Sequence, residues 1–150
     1  MKDTLQRGLE SRVKFDVDRE RTIDFMGEDA RVYATPMLVR DVEMACRQLL
    51  LEHLDSGEDS VGTRVEIDHI AATLLGMPVE LTVRVVEVNG RAVQFEIEGR
   101  DAVEPIARGR HARFVVDVDR TAQRLAAKAA KAAKAAEAGA AGDAGSEGGV

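Results

Sequence analysis

Residues 34–54, ATPMLVRDVEMACRQLLLEHL, read as one amphipathic helix with a carboxylate where its apolar face should be. Around Glu43, Val39 lies one turn before, Cys46 one turn after and Leu50 two turns after, and on a 3.6-residue helix all three share its side. None of them answers a charge, and an unpaired buried carboxylate is strongly unfavourable. Two explanations stay open. One is an ion pair with Arg47, backed by Arg40, on a half-buried helix edge. The other is an acid enclosed in an apolar cleft, raised by desolvation until it can act as base or nucleophile. Thr35 is the expected N-cap and Pro36 the expected first helical residue, with the helix ending near Leu54.

Beyond this helix the stretch DSGEDSVG, residues 55–62, reads as a loop, and the hydrophobic period then changes from 3.6 to 2. Val65, Ile67, His69 and Ala71 share one face of a strand, and Val79, Leu81, Val83 and Val85 one face of the next. Asn89-Gly90 signals a hairpin into Val93, Phe95 and Ile97, and a last long strand covers roughly Ile106 to Val116. Upstream, Val13, Phe15 and Val17 alternate as another strand. One long helix followed by a meander of antiparallel strands predicts an α+β domain, with the helix wrapped by a curved sheet. That order of elements is the one a hot-dog fold shows.

The expected domain spans residues 1–118, and residues 119–150 form a tail rich in Ala, Lys and Gly. Within it Lys128, Lys131 and Lys134 recur without large apolar neighbours, which predicts a frayed helix and then disorder from Gly139. The net charge is −6, and residues 1–116 carry all of it, so the basic face of a nucleic-acid binder is not expected. No run approaches a membrane span, and the first residues lack the apolar core of a secretory signal. A single cysteine, Cys46, cannot form an internal disulfide, so a reducing cytoplasm is the expected compartment. Three scattered histidines and one cysteine match no zinc spacing, and no Walker, dinucleotide or nucleophile-elbow motif occurs, so neither metal nor cofactor is expected.

Three residues remain as candidates for chemistry. Glu43 is one. His69 is the second, because its strand face should meet the helix that carries Glu43, so an acid and an imidazole point into one layer. Thr35 is the third: a hydroxyl at a helix start stands beside unpaired backbone N–H groups, where a carbonyl oxygen developing charge is stabilised. His53 sits at a helix end and His111 in the last strand, and neither draws the same attention. Cys46 on the helix reads as a structural residue.

The blocks VYATPMLVRDVEMAC, SVGTRVEIDHIAAT and ARGRHAR resemble the fluoroacetyl-CoA thioesterase family over about residues 30–116. The resemblance implies a homodimeric hot-dog hydrolase in which Thr35, Glu43 and His69 are catalytic. It further implies that Gly62 donates its backbone N–H to the substrate and that Arg113 binds substrate; Arg113 with Arg108 or Arg110 is expected to meet the CoA phosphates. The segment before the threonine, RTIDFMGEDARVYAT, is shorter than the family's aromatic lid and offers only Phe25 and Tyr33. A general short-chain acyl-CoA thioesterase is therefore expected rather than a fluoroacyl-selective one. A non-catalytic module that binds acyl-CoA or another small ligand uses the same cleft, and stays open as the alternative.

Overall fold

In the computed structural model, residues 1–146 are described, with side chains to residue 142. The chain runs β1 (Glu10–Asp16), β2 (Thr22–Ile23), β3 (Val32–Tyr33), α1 (Thr35–Leu51), β4 (Glu58–His69), β5 (Pro78–Asn89), β6 (Ala92–Asp101), β7 (Pro105–Asp117) and α2 (Val118–Ser146). Residues Met1–Val116 make one compact unit, and a second begins at Asp117.

Alternation of period two places the core. Val79, Leu81, Val83 and Val85 of β5 are buried, as are Val93, Phe95 and Ile97 of β6. Register then stacks them: Val83 lies opposite Ile97 and Val85 opposite Phe95. On the other flank of β5, Val13 and Phe15 of β1 face Leu81 and Val79. Each fully buried side chain of this kind contributes roughly 1.5–3 kcal/mol relative to exposure. The five-stranded sheet has the order β1-β5-β6-β7-β4, and β2 pairs with β3 in a separate small ribbon.

Helix α1 covers this apolar face. Its buried residues Leu38, Val42, Ala45, Cys46, Leu49 and Leu50 recur at three- and four-residue spacing, so one stripe of the helix meets the sheet. The helix start differs from the expected one. Ala34 is the N-cap, Thr35 is already helical, and no side chain caps the end. With Pro36 lacking an N–H, one of the orphan donors of the first turn is absent, and the Thr35 hydroxyl is released for another partner. The helix stops at Leu51, while Leu54 beyond it still lies in the core.

Strand β4 begins at Glu58, inside the stretch read as a loop, so Gly62 belongs to the strand. It runs antiparallel to β7: Arg113 bonds Ser60, His111 bonds Arg64, and Ile70 bonds Ile106. Gly62 and Ile67 both face α1, although five residues apart, so the strand changes face between them. Gly109 of β7 makes room for that change. A Cβ on Gly109 would lie 2.0 Å from the Glu66 carbonyl oxygen and 2.8 Å from the Ile67 Cα. Among the described residues the other edge of β4 carries no strand, and its residues 61–66 are exposed throughout, Val61 and Val65 among them.

The second unit is the helix α2. Its helical hydrogen bonding passes Gly139 and Gly142 and reaches Ser146, beyond the end expected from its glycines. Thr121 is half-buried, while Leu125 and the lysine series are exposed. The expectation for residues 147–150 lies outside the described residues.

Candidate active site

Two polar clusters lie in the α1–β4 layer, one at the start of the helix and one at its middle. At the start of the helix, the Thr35 hydroxyl is 2.8 Å from Nδ1 of His69, the last residue of β4. The imidazole packs edge to face with the Tyr33 ring, at 6.1 Å between centroids and 77° between planes. Burial pushes the His69 pKa down, so the ring is neutral near pH 7. Its Nε2 atom is buried without a hydrogen-bond partner. A buried polar atom left unpaired costs about 1–3 kcal/mol. A shallow cleft of 290 Å³ opens here, with Ile23, Val32, Ile70 and Ala71 as its apolar wall.

The second cluster forms around Glu43, two helical turns further on. Its Oε1 lies 3.9 Å from Nη1 of Arg113 and 4.0 Å from Nε2 of His111. Arg113 is 5% exposed and held from below: Nε donates to the Ser60 hydroxyl and Nη2 to the Ser60 carbonyl, both at 2.8 Å. His111 donates from Nδ1 to the Arg64 carbonyl at 2.8 Å, which leaves Nε2 to accept from Arg113 Nη1 at 3.2 Å. Burial lowers its pKa as well, in keeping with that neutral tautomer. Gly62 lies directly under the carboxylate, since a Cβ there would be 2.3 Å from Glu43 Oε1 and 3.2 Å from His111 Cε1.

Glu43 is therefore neither enclosed in an apolar cleft nor paired with Arg47. Arg47 instead binds Asp59 through two nitrogens, at 2.9 and 2.7 Å, and Arg40 reaches Asp41 at 3.3 Å. The Glu43 side chain is 42% exposed, on the flank of α1 that overhangs the open edge of β4. Among the described residues, no hydrogen bond or ion pair within the chain joins Glu43 to His69. Their separation follows from the elements: Thr35 to Glu43 is about 12 Å of helix, and Gly62 to His69 about 23 Å of strand.

Arg113 does not share a surface with Arg108 and Arg110 as expected. It differs from them in parity, so the pleat turns it towards the helix while those two face solvent on the opposite side of the sheet. His111 was passed over, yet it shares the inward parity of Arg113 and of the fully buried Val115, and that alternation was the available signal. Tyr33 is 2% exposed and cannot serve as a mobile lid, whereas Phe25 is exposed. Cys46 is buried, with its thiol pKa pushed up by burial, as a structural cysteine's would be. No group of three His, Cys, Asp or Glu among the described residues is arranged to hold a metal ion.

A curated fluoroacetyl-CoA thioesterase from Streptantibioticus cattleyicolor is 29% identical to this chain, over 85% of it and 97% of the relative. Among solved structures, a thioesterase superfamily member from Thermus thermophilus matches with a TM-score of 0.78 at 27% identity, covering 89% of this chain and 98% of that one. A mutant of the fluoroacetyl-CoA-specific thioesterase FlK, in complex with fluoroacetate and CoA, matches with a TM-score of 0.72 at 28% identity, covering 78% and 99%. The family model described as fluoroacetyl-CoA-specific thioesterase matches residues 17–119, and the chain, an α+β hot-dog protein, belongs to that thioesterase family.

Proposed function

We propose that this acyl-CoA thioesterase hydrolyses a short-chain acyl-CoA as a homodimer, each active site assembled from both subunits. The observation that carries this reading is the divided site: an orphaned His69 Nε2 at the end of β4 and a half-exposed Glu43 over Gly62 seven residues earlier, beside an edge that carries no strand among the described residues. Unpaired strand edges invite pairing with a second copy, and a two-fold axis near Val65 and Glu66 sets the partner subunit's His69 opposite Gly62. Glu43 then meets the imidazole across the interface and is removed from water at the same time.

In this arrangement the acyl group enters the apolar cleft beside Ile23, Val32 and Ile70. The Gly62 N–H polarises the thioester carbonyl. Glu43, oriented by Arg113, attacks the carbonyl carbon or takes a proton from the water that does. The carbon–sulfur bond breaks as the tetrahedral intermediate collapses, releasing the acid directly where water attacked, or after water hydrolyses the acyl–Glu43 anhydride where the carboxylate attacked. Thr35 donates its hydroxyl hydrogen to His69 Nδ1, which places the ring proton on Nε2; that proton passes to the departing thiolate, and the proton released by the attacking water, carried by Glu43 where it acts as base, restores it. Arg113 acts on Glu43 rather than on the CoA phosphates. No metal or cofactor enters the scheme, and a reducing cytoplasm is its proposed setting.

The test is turnover of a panel of short acyl-CoAs, followed by a thiol reagent, for the parent and for Glu43→Gln and His69→Ala. Release of free CoA that both substitutions abolish supports the reading. Ligand binding without turnover in the parent overturns it.

A further inference from the structure

Behind His69 stands a polar relay that the catalytic scheme does not use. The phenol of Tyr33 donates to the Asp41 carboxylate. Asp41 is 8% exposed, and Arg21 clamps it with Nε at 2.9 Å on one oxygen and Nη2 at 3.2 Å on the other. Arg21 in turn lies 4.6 Å over the Phe15 ring, and Phe15 packs edge to face on Tyr33 at 6.0 Å. A buried phenol needs an acceptor, and a buried carboxylate needs a cation, so each member fixes the next. Asp41 sits on the same helix as Thr35, and Tyr33 two residues before it. The relay therefore ties the wall of the imidazole to the helix that supplies its hydroxyl partner.

We propose that Tyr33 is a positioning residue for His69, its ring walling one side of the imidazole and its hydroxyl locked by Asp41 and Arg21. The proposal rests on the reading that His69 takes part in hydrolysis. Thr35 alone leaves the imidazole free to rock about the single hydrogen bond at Nδ1, and the Tyr33 ring removes that freedom. The groups facing the imidazole are Thr35 from α1 and Tyr33 from β3. Asp68, its neighbour in β4, is exposed and lies 3.8 Å from Arg108. Burial, rather than a nearby charge, depresses the pKa of His69, and the Tyr33 ring is one of the groups that cover it.

Three variants in the full-length protein test this: Tyr33→Leu, Tyr33→Phe and, as reference, His69→Ala. Each is assayed for kcat and KM, and the His69 ring is titrated by proton NMR in the free protein, with His111 as internal control. Tyr33→Leu moves the His69 midpoint up towards the ordinary histidine value and lowers kcat about tenfold, with KM changed less than about threefold. Tyr33→Phe keeps the shielding and so the midpoint, but loses the lock, and its kcat falls about two- to fivefold. If Tyr33→Leu does not fold, the Phe variant decides. Parental kcat in Tyr33→Phe overturns the positioning role while leaving the hydrolytic reading intact, provided His69→Ala is inactive. Full turnover in His69→Ala overturns both.

Discussion

Glu43 and Gly62 share one small space: the carboxylate oxygen lies 2.3 Å from where a Cβ on residue 62 would be. The clash is with the far end of a flexible side chain, so Gly62→Ala is relieved by moving the carboxylate rather than the backbone. We predict that Gly62→Ala folds with a melting temperature within about 4 °C of the parent, while kcat/KM falls at least about tenfold because the acid leaves its position. Thermal melts beside steady-state kinetics check this.

The Thr35 hydroxyl bonds His69 rather than the helix end, where the cap position belongs to Ala34. Thr35→Ser preserves that oxygen, and Thr35→Ala removes it. The serine variant is expected within about threefold of the parent in kcat, and the alanine variant about ten- to a hundredfold below it. Stability changes little in either, because no helix cap is lost. An alanine variant that melts early but turns over normally would contradict this assignment.

Arg113 supports the site from within the fold. Replacing it with alanine leaves Ser60 and the His111 Nε2 atom buried without their donor. We expect destabilisation of about 2–4 kcal/mol by urea unfolding. Arg108→Ala and Arg110→Ala, on the opposite face, are expected to shift stability by less than about 0.5 kcal/mol.

Acid should weaken the fold earlier than its carboxylates alone would cause. His69 and His111 both have folded pKa values below the ordinary 6.5, chiefly through burial. As pH falls the unfolded chain binds these protons first, so their contribution is complete above about 6.5 and is lost as pH drops from there through the folded values. Ion-paired carboxylates act lower: the Arg47 guanidinium holds Asp59 below 3.8. Urea midpoints measured downward from about pH 8 should decline already between about 6.5 and 5. A midpoint constant across that interval contradicts the buried neutral histidines.

The sheet was legible because its faces differ: Val79 to Val85 and Val93 to Ile97 are buried on alternate positions, and period two is visible without coordinates. The same rule applied to β7 separates Arg113 and His111 from Arg108 and Arg110. β4 resisted such reading for two reasons. Its first residues, Glu58 to Gly62, are mostly polar or glycine, which made them look like a loop. It also changes face over Gly109, so even-numbered Gly62 and odd-numbered His69 both face α1, which simple alternation does not predict. That Glu43 and His69 fail to meet within one chain follows from the lengths of α1 and β4, which a periodicity argument does not compare.

The central claim is that Glu43 works with the partner subunit's His69. Mixing Glu43→Gln and His69→Ala subunits, after unfolding and refolding together, tests it directly. A site shared between subunits regains turnover, up to about a quarter of the parental rate, because each mixed dimer holds one site with both native residues. If each subunit carries its own complete site, the mixture stays as inactive as either variant alone, and the account is contradicted.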